Sequence, residues 1–401
     1  MSYPKPIEDQ EFQARLQKTV EKVREASLDA LVVHSNEADF ANVRYLSNYW
    51  PIFEAAGVLI FPNGKFSLLI GPESETFARN RTKIPDVRKL VEYREPAEPD
   101  YPTITVDTFK ELFREQAGTA PKRIGLAGWA VFPLPVYLGL KEAFPEAEFV
   151  KADDILFSQR AIKSPAELNC LREAFRITGD AFRDVLGKMR AGLTELQVAG
   201  LAQGAVYAAG AEYEGLPQYV LSGECSSHAI GRPGYRELQR GDIVQLNLSA
   251  RVQGYSASIG RPVSIGKPSQ ASKELMEFGL KAHHFTHTLM RAGMQASEVA
   301  IRYDEYVRDQ GYGDYLLYGP AHGLGMIEVE RPWIETSSNY ALEPDMTFQI
   351  DTFFCAAPET KLGREHGSTF GLRWENGVRI TAGESAEWLS PALEGLVEIK
   401  A

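Results

Sequence analysis

Apolar positions recur along this chain with two periods, and the switches between them mark out its elements. Phe12, Leu16, Val20 and Val23 fall at spacings of three and four, which predicts an amphipathic helix over residues 10–27. The short β-branched run 29–34 then reads as a buried strand. Residues 57–61 and 66–70 flank Pro62-Asn63-Gly64-Lys65, and an Asn-Gly turn between apolar runs predicts a hairpin. Residues 122–127 and 147–150 read as further strands separated by a helix. The first 160 residues therefore form a small α/β domain.

A second domain, 161–401, opens with Ser164-Pro165-Ala166-Glu167. This is a capping box with proline at the first helical position, and it starts a long helix carrying Leu168, Leu171, Phe175 and Ile177. Met189-Arg-Ala-Gly192 recurs as Met290-Arg-Ala-Gly293, each time between two helices. The second helices begin near Thr194, which has Gln197 three residues on, and near Ser297. After each pair the pattern turns to strands, at 243–249 and 252–264, then at 346–354 and 371–381. The expectation is an α+β chain whose larger domain contains an internal duplication.

Composition narrows the class. The 401 residues exceed one usual core, in agreement with two domains. Hydrophobic residues at 44% and charged residues at 24% exclude a disordered or fibrous chain. With 43 Lys+Arg against 54 Asp+Glu the net charge is −11 and no basic run is present, which argues against nucleic-acid and membrane partners. Three scattered cysteines and no evident leader or spanning segment point to a reducing, cytoplasmic setting.

Five segments carry a resemblance: Ser222-Gly223…His228, Gly241-Asp-Ile-Val244, Gly254-Tyr255…Arg261, His322-Gly-Leu-Gly325 and Gly371-Leu-Arg-Trp-Glu375. In this order and spacing the chain resembles the pita-bread family of creatinase, prolidase, aminopeptidase P and methionine aminopeptidase. The resemblance implies a small N-terminal α/β domain followed by a pita-bread domain with pseudo-twofold duplication, and a homodimer in which the N-terminal domain borders the partner's site.

Peptidases of that family bind two divalent ions through two Asp, one His and two Glu. By the resemblance, Asn247 and Ser258 stand at the Asp positions, His322 at the His, Asp351 at the first Glu and Glu375 at the last. A further peptidase histidine corresponds to Val329. Two dications about 3.5–4 Å apart repel by roughly 20 kcal/mol even at an effective dielectric near 20. Asp351 and Glu375 alone would not offset this, and neutral Asn and Ser are poor substitutes as ligands. Any metal would be a single ion on His322, Asp351 and Glu375.

Creatinase is the metal-free relative, and the substitutions follow its pattern. The leading expectation is thus a cofactor-free hydrolase of a C–N bond in a small amidine, guanidino or cyclic amide compound. His228 would move protons, assisted catalytically by His322 and Glu375. Asp351, Asn247 and Ser258 would line the substrate pocket, with Arg261 or Arg373 taking a substrate carboxylate. A second creatinase Glu falls at Gly260, and its N-terminal carboxylate-reading Arg near Glu54, so Glu54 joins the binding set and creatine itself is not the expected substrate. The alternatives are a single-ion Xaa-Pro dipeptidase or aminopeptidase, and a non-catalytic binding protein. His283, His284 and His287, between Lys281 and Arg291, read as a solvated helix face. Glu328 and Glu330 alternate with Val329, and the strand face they share could reach the pocket. His34 carries only a weak case.

Overall fold

The computed structural model describes residues 5–390 and 395–400. The chain divides into two compact units that meet in sequence at Arg160 and Ala161. The first runs α1 (Asp9–Glu25), β1 (Ala30–Ser35), α2 (Ala41–Ser47), β2 (Ala56–Ile60), β3 (Phe66–Ile70) and α3 (Glu75–Arg81). It continues with β4 (Val87–Lys89), α4 (Phe109–Gln116), β5 (Arg123–Ala127), α5 (Leu134–Ala143), β6 (Glu148–Lys151) and α6 (Asp154–Ala161). Its six strands form one mixed sheet in the order β4-β3-β2-β1-β5-β6. The expected hairpin is β2–β3, with Gly64 at φ +92° in its turn.

The second unit starts with α7 (Pro165–Lys188), whose first turn carries the reciprocal Ser164–Glu167 capping box. Then come α8 (Glu195–Ala208), β7 (Tyr219–Ser222), β8 (Ile243–Val252), β9 (Tyr255–Ile265), α9 (Gln270–Leu289) and α10 (Ala296–Asp309). β10 (Ala321–Gly323), β11 (Glu330–Ile334), β12 (Thr347–Ala356), α11 (Lys361–His366) and β13 (Phe370–Arg379) follow, with short β14 (Glu387–Trp388) and β15 (Val397–Ile399). Seven of these strands run in the order β11-β10-β12-β13-β9-β8-β7; β14 pairs with β13 and β15 with β9.

The repeated Ala-Gly stops are equivalent in space as well as in sequence. Gly192 and Gly293 take φ +86° and +83°, a conformation glycine adopts without strain. Each donates its N–H to a leucine carbonyl downstream, Leu238 at 2.9 Å and Leu342 at 2.8 Å. The same leucines donate back to Leu193 and Met294. Thr194 and Gln295 then bridge to Glu237 and Ala341.

One face of the large sheet is apolar and covered by helices, with Trp374, Phe354 and Leu372 packed against Leu275, Phe278 and Ala282 of α9. The other face is polar. Strand register sets a row straight across it: Asp351 pairs with Glu375, Glu375 with Gly260, Gly260 with Asn247, and Asn247 with Tyr219. Side chains alternate by two along a strand, so Gln349 and Arg373 join this face while Trp374 and Arg261 leave it.

Candidate active site

Glu375 lies at the centre of the row and is 1% exposed. Its carboxylate accepts from Asn247 Nδ2 at 2.5 Å on one oxygen and from Gln349 Nε2 at 2.7 Å on the other. Ser258 Oγ donates to Asn247 Oδ1 at 2.5 Å, which fixes the amide with its donor side toward Glu375. Asn247 and Ser258 are thus spent on orienting Glu375.

Arg373 shares the face. Its Nε is 3.3 Å from Asp351 Oδ1 and its Nη1 is 3.8 Å from Glu375 Oε2, while Nη2 donates to the Ala229 carbonyl and to the Tyr318 hydroxyl. The Tyr318 hydroxyl in turn donates to Asp351 Oδ2 at 2.7 Å. Burial alone would lower the Arg373 pKa, but Asp351, Tyr318 and Glu375 outweigh it and hold the guanidinium firmly charged.

Across β12, His322 pairs in register with Gln349, and the turn that follows brings in Glu328. Ligand atoms of His322, Glu328 and Glu375, all buried, lie within 4.8 Å of one another. His322 Nε2 faces Glu328 Oε1 at 4.0 Å. Burial raises Glu375 well above the usual carboxylate range, reinforced by the Glu328 and Asp351 carboxylates. Burial likewise raises Glu328, whose carboxylate lies within 4.8 Å of that of Glu375. Two touching buried carboxylates repel unless a proton or a cation lies between them.

Several buried polar atoms here make no hydrogen bond among the described residues: Glu328 Oε1 and Gln349 Oε1, and also Asp351 Oδ1 and Arg373 Nε, which face each other only as an ion pair. Unmade bonds of this kind cost about 1–3 kcal/mol each, so their convergence in one place marks where a ligand completes the site.

The structure relocates several residues expected at the site. Asp351 is present but stands beside Arg373, and Glu328 takes its place in the trio with His322 and Glu375. Arg261 lies on the helix-covered face, donating to the carbonyls of Gly260 and Glu375 and stacked over Trp374, because it is an odd number of residues from Ser258. The His228 loop reaches the site through its backbone, its carbonyl accepting from Gln245, but the imidazole itself is exposed. Glu54, in the first unit, is committed to that unit, accepting from the N–H groups of Glu73 and Ser74 and packing on Gly71. Glu330 faces Lys163 at 3.4 Å in a buried pair rather than the trio.

His283 is no solvated histidine. It is 2% exposed and bonds Asn376 Oδ1 at 3.0 Å, while His287 stacks on Trp388 at 4.0 Å. Gln349 and Tyr318 were not anticipated. Gln349 carried a legible signal, since it sits two before Asp351 in an otherwise apolar run; Tyr318 lies in a loop and carried none.

Comparison with known proteins agrees with this architecture. Residues 169–382 match the model of metallopeptidase family M24, and residues 15–162 match the creatinase/prolidase N-terminal domain. An uncharacterized peptidase of Bacillus subtilis is 31% identical over 61% of this chain and 67% of its own. The Xaa-Pro dipeptidase of Pyrococcus furiosus is 26% identical over 92% of this chain and 95% of its own. In fold, the prolidase structure from Pyrococcus horikoshii superposes with a TM-score of 0.80 at 23% identity, covering 96% of this chain and 100% of that one.

Proposed function

We propose, because the chain belongs to metallopeptidase family M24 and is a hydrolase of a C–N bond, that it cleaves the peptide bond of a dipeptide, with Xaa-Pro dipeptides the first to try, using one divalent ion. The observation that carries this reading is the buried trio of His322, Glu328 and Glu375, with Glu328 Oε1 unpartnered and turned toward His322. One histidine and two carboxylates suit a single ion with open positions. Buried charge agrees. Glu328, Glu375 and Asp351 contribute three negative charges and Arg373 one positive, leaving two that one dication closes. A second ion would leave an uncompensated +2 in a buried site, and the residues at the remaining family positions, Asn247 and Ser258, are neutral. The donor set fits one ion and does not fit two.

An ion there supplies Lewis-acid polarisation of the scissile carbonyl. The chain's own groups do the rest. Asn247 and Gln349 hold Glu375 in one orientation, and Ser258 holds Asn247. Tyr318 and Arg373 fix Asp351 so that Oδ1 stays without a hydrogen bond, placed to accept a proton from the attacking water.

A second reading is favoured by the closeness of the buried Glu328 and Glu375 carboxylates. One shared proton and one monocationic amidine or guanidino group close the same charge, which is the metal-free hydrolase expected from sequence. Against it, Asp351 and Glu375, the carboxylates meant for the substrate cation, already face Arg373.

Elemental analysis of protein purified without chelator separates the two. The proposal expects about one divalent ion per chain, dipeptide hydrolysis lost in EDTA and restored by Mn²⁺, Co²⁺ or Zn²⁺, and metal loss in Glu328→Gln. Below about 0.2 ion per chain, with EDTA-insensitive turnover of an amidine, the second reading replaces it.

A further inference from the structure

At the outer edge of the large sheet, beside the Tyr219 end of the Glu375 row, α8 and the two segments flanking β7 enclose an open cavity of about 370 Å³. That is near the lower end of the size range of small-molecule sites, roughly 300–1,000 Å³. Its walls are apolar, with Leu196 and Ala199 on α8 facing Pro217 and Pro233. Its polar base is rigid. Gln218 Nε2 donates to Gln203 Oε1 at 3.1 Å and to the Ser249 carbonyl at 2.9 Å, while Gln218 Oε1 accepts from Ser249 N–H.

Two opposite charges border the space, Glu214 and Arg232. Among the described residues neither forms a side-chain hydrogen bond or a close ion pair, although each is within electrostatic reach of the other. Burial raises the Glu214 carboxyl, and Arg251 and Arg232 pull it back. A half-buried carboxylate and a guanidinium that border one cavity without closing on each other leave both charges available to a guest.

The third observation is Gly200. It lies within α8, where glycine costs stability relative to alanine, yet a Cβ there would meet nothing within 4 Å. No packing need excludes a side chain at this position, which lines the cavity.

We propose that this cavity is a second binding site for a free zwitterionic α-amino acid with an apolar side chain. Its ammonium pairs with Glu214, its carboxylate with Arg232, and its side chain packs between Leu196 and the two prolines. The site adjoins the Tyr219 end of the row but uses none of its carboxylates, and it does not depend on what that row cleaves.

Titration calorimetry of the full chain with L-leucine and L-proline tests this. L-leucine is expected to saturate one site per chain with Kd on the order of 1 mM. L-Leucinamide lacks the carboxylate and N-acetyl-L-leucine lacks the ammonium, so each should bind at least about tenfold more weakly. Glu214→Gln and Arg232→Gln should each cost about the same factor. Gly200→Leu should abolish binding while leaving Tm unchanged or higher, which separates a filled cavity from a damaged fold. Absence of saturable binding by either amino acid overturns the proposal. So does binding that is unaltered in all three variants, since the amino acid would then be held elsewhere.

Discussion

Two buried histidines lie on opposite faces of the same sheet, and their surroundings differ in one respect. His283, behind the sheet, bonds Asn376, whose amide bonds Ser390, and Thr352 lies 3.4 Å from its other ring nitrogen; none of these polar atoms is left without a partner. His322, in front, sits among atoms of Glu328 and Gln349 that make no hydrogen bond, beside the Asp351–Arg373 ion pair. Burial lowers the His283 pKa well below the ordinary value, with Arg261 and His284 adding to the effect, so that ring is a neutral packing element. A closed network holds the fold, whereas an open one awaits a ligand.

The comparison can be broken by substitution. Glu375→Gln removes one charge from the open network and should lower kcat/KM by about 10³-fold or more, with the circular dichroism spectrum retained. Activity within tenfold of wild type would mean the open network is not the reactive one.

His34 gives the next largest effect and sharpens the comparison with a third case in the other unit. It is 1% exposed, its Nδ1 has no partner among the described residues, and burial lowers its pKa from 6.5 to about 4. The unfolded chain therefore binds more protons than the folded one between those values. This contribution is fully present above pH 6.5 and is lost as pH falls, by about 3 kcal/mol near pH 4. Denaturant melts across this range should show that much less acid destabilisation in His34→Leu. Equal slopes in both proteins would contradict it.

His283→Ala opens the closed network by stranding Asn376 and should cost about 2–4 kcal/mol of stability. Its kcat/KM, measured well below the melting temperature, should change less than about threefold, since nothing facing the substrate has moved. The smallest effect is expected for Arg261→Lys. Turnover and KM should stay within about twofold, because Arg261 faces away from the row. A selective rise in KM would return it to the substrate.

What the sequence revealed, and what it hid, follows from strand parity. Capping boxes, the Asn-Gly turn and the repeated Ala-Gly stops are local signals, and the elements they predict are present within a few residues. Asp351 and Glu375 stood out as carboxylates inside apolar strands, and the row confirms that they share a face. The same parity puts Ser258 and Arg261 on opposite faces, a distinction that motif matching passed over. Glu328 was harder. Residues 327–329 belong to no strand, so alternation does not say which side chain turns inward, and it is Val329 that lies 42% exposed. His283 was misjudged from its charged neighbours, although it shares a helical arc with Ala282, Thr286 and Leu289. The His228 loop meets the site through backbone carbonyls that accept from Gln245 and Arg373, contacts that a loop motif does not announce.

Gly260 stands in the middle of the row, directly opposite Glu375. A Cβ at that position would lie 2.9 Å from Glu375 Cβ and 3.1 Å from Arg373 Cγ. This is the position where creatinase, by the sequence resemblance, carries a second carboxylate. An acid placed there would push on Glu375 and Arg373, the two groups it was meant to assist. Converting one kind of site into the other therefore asks Glu375 and Arg373 to move as well as Gly260 to change.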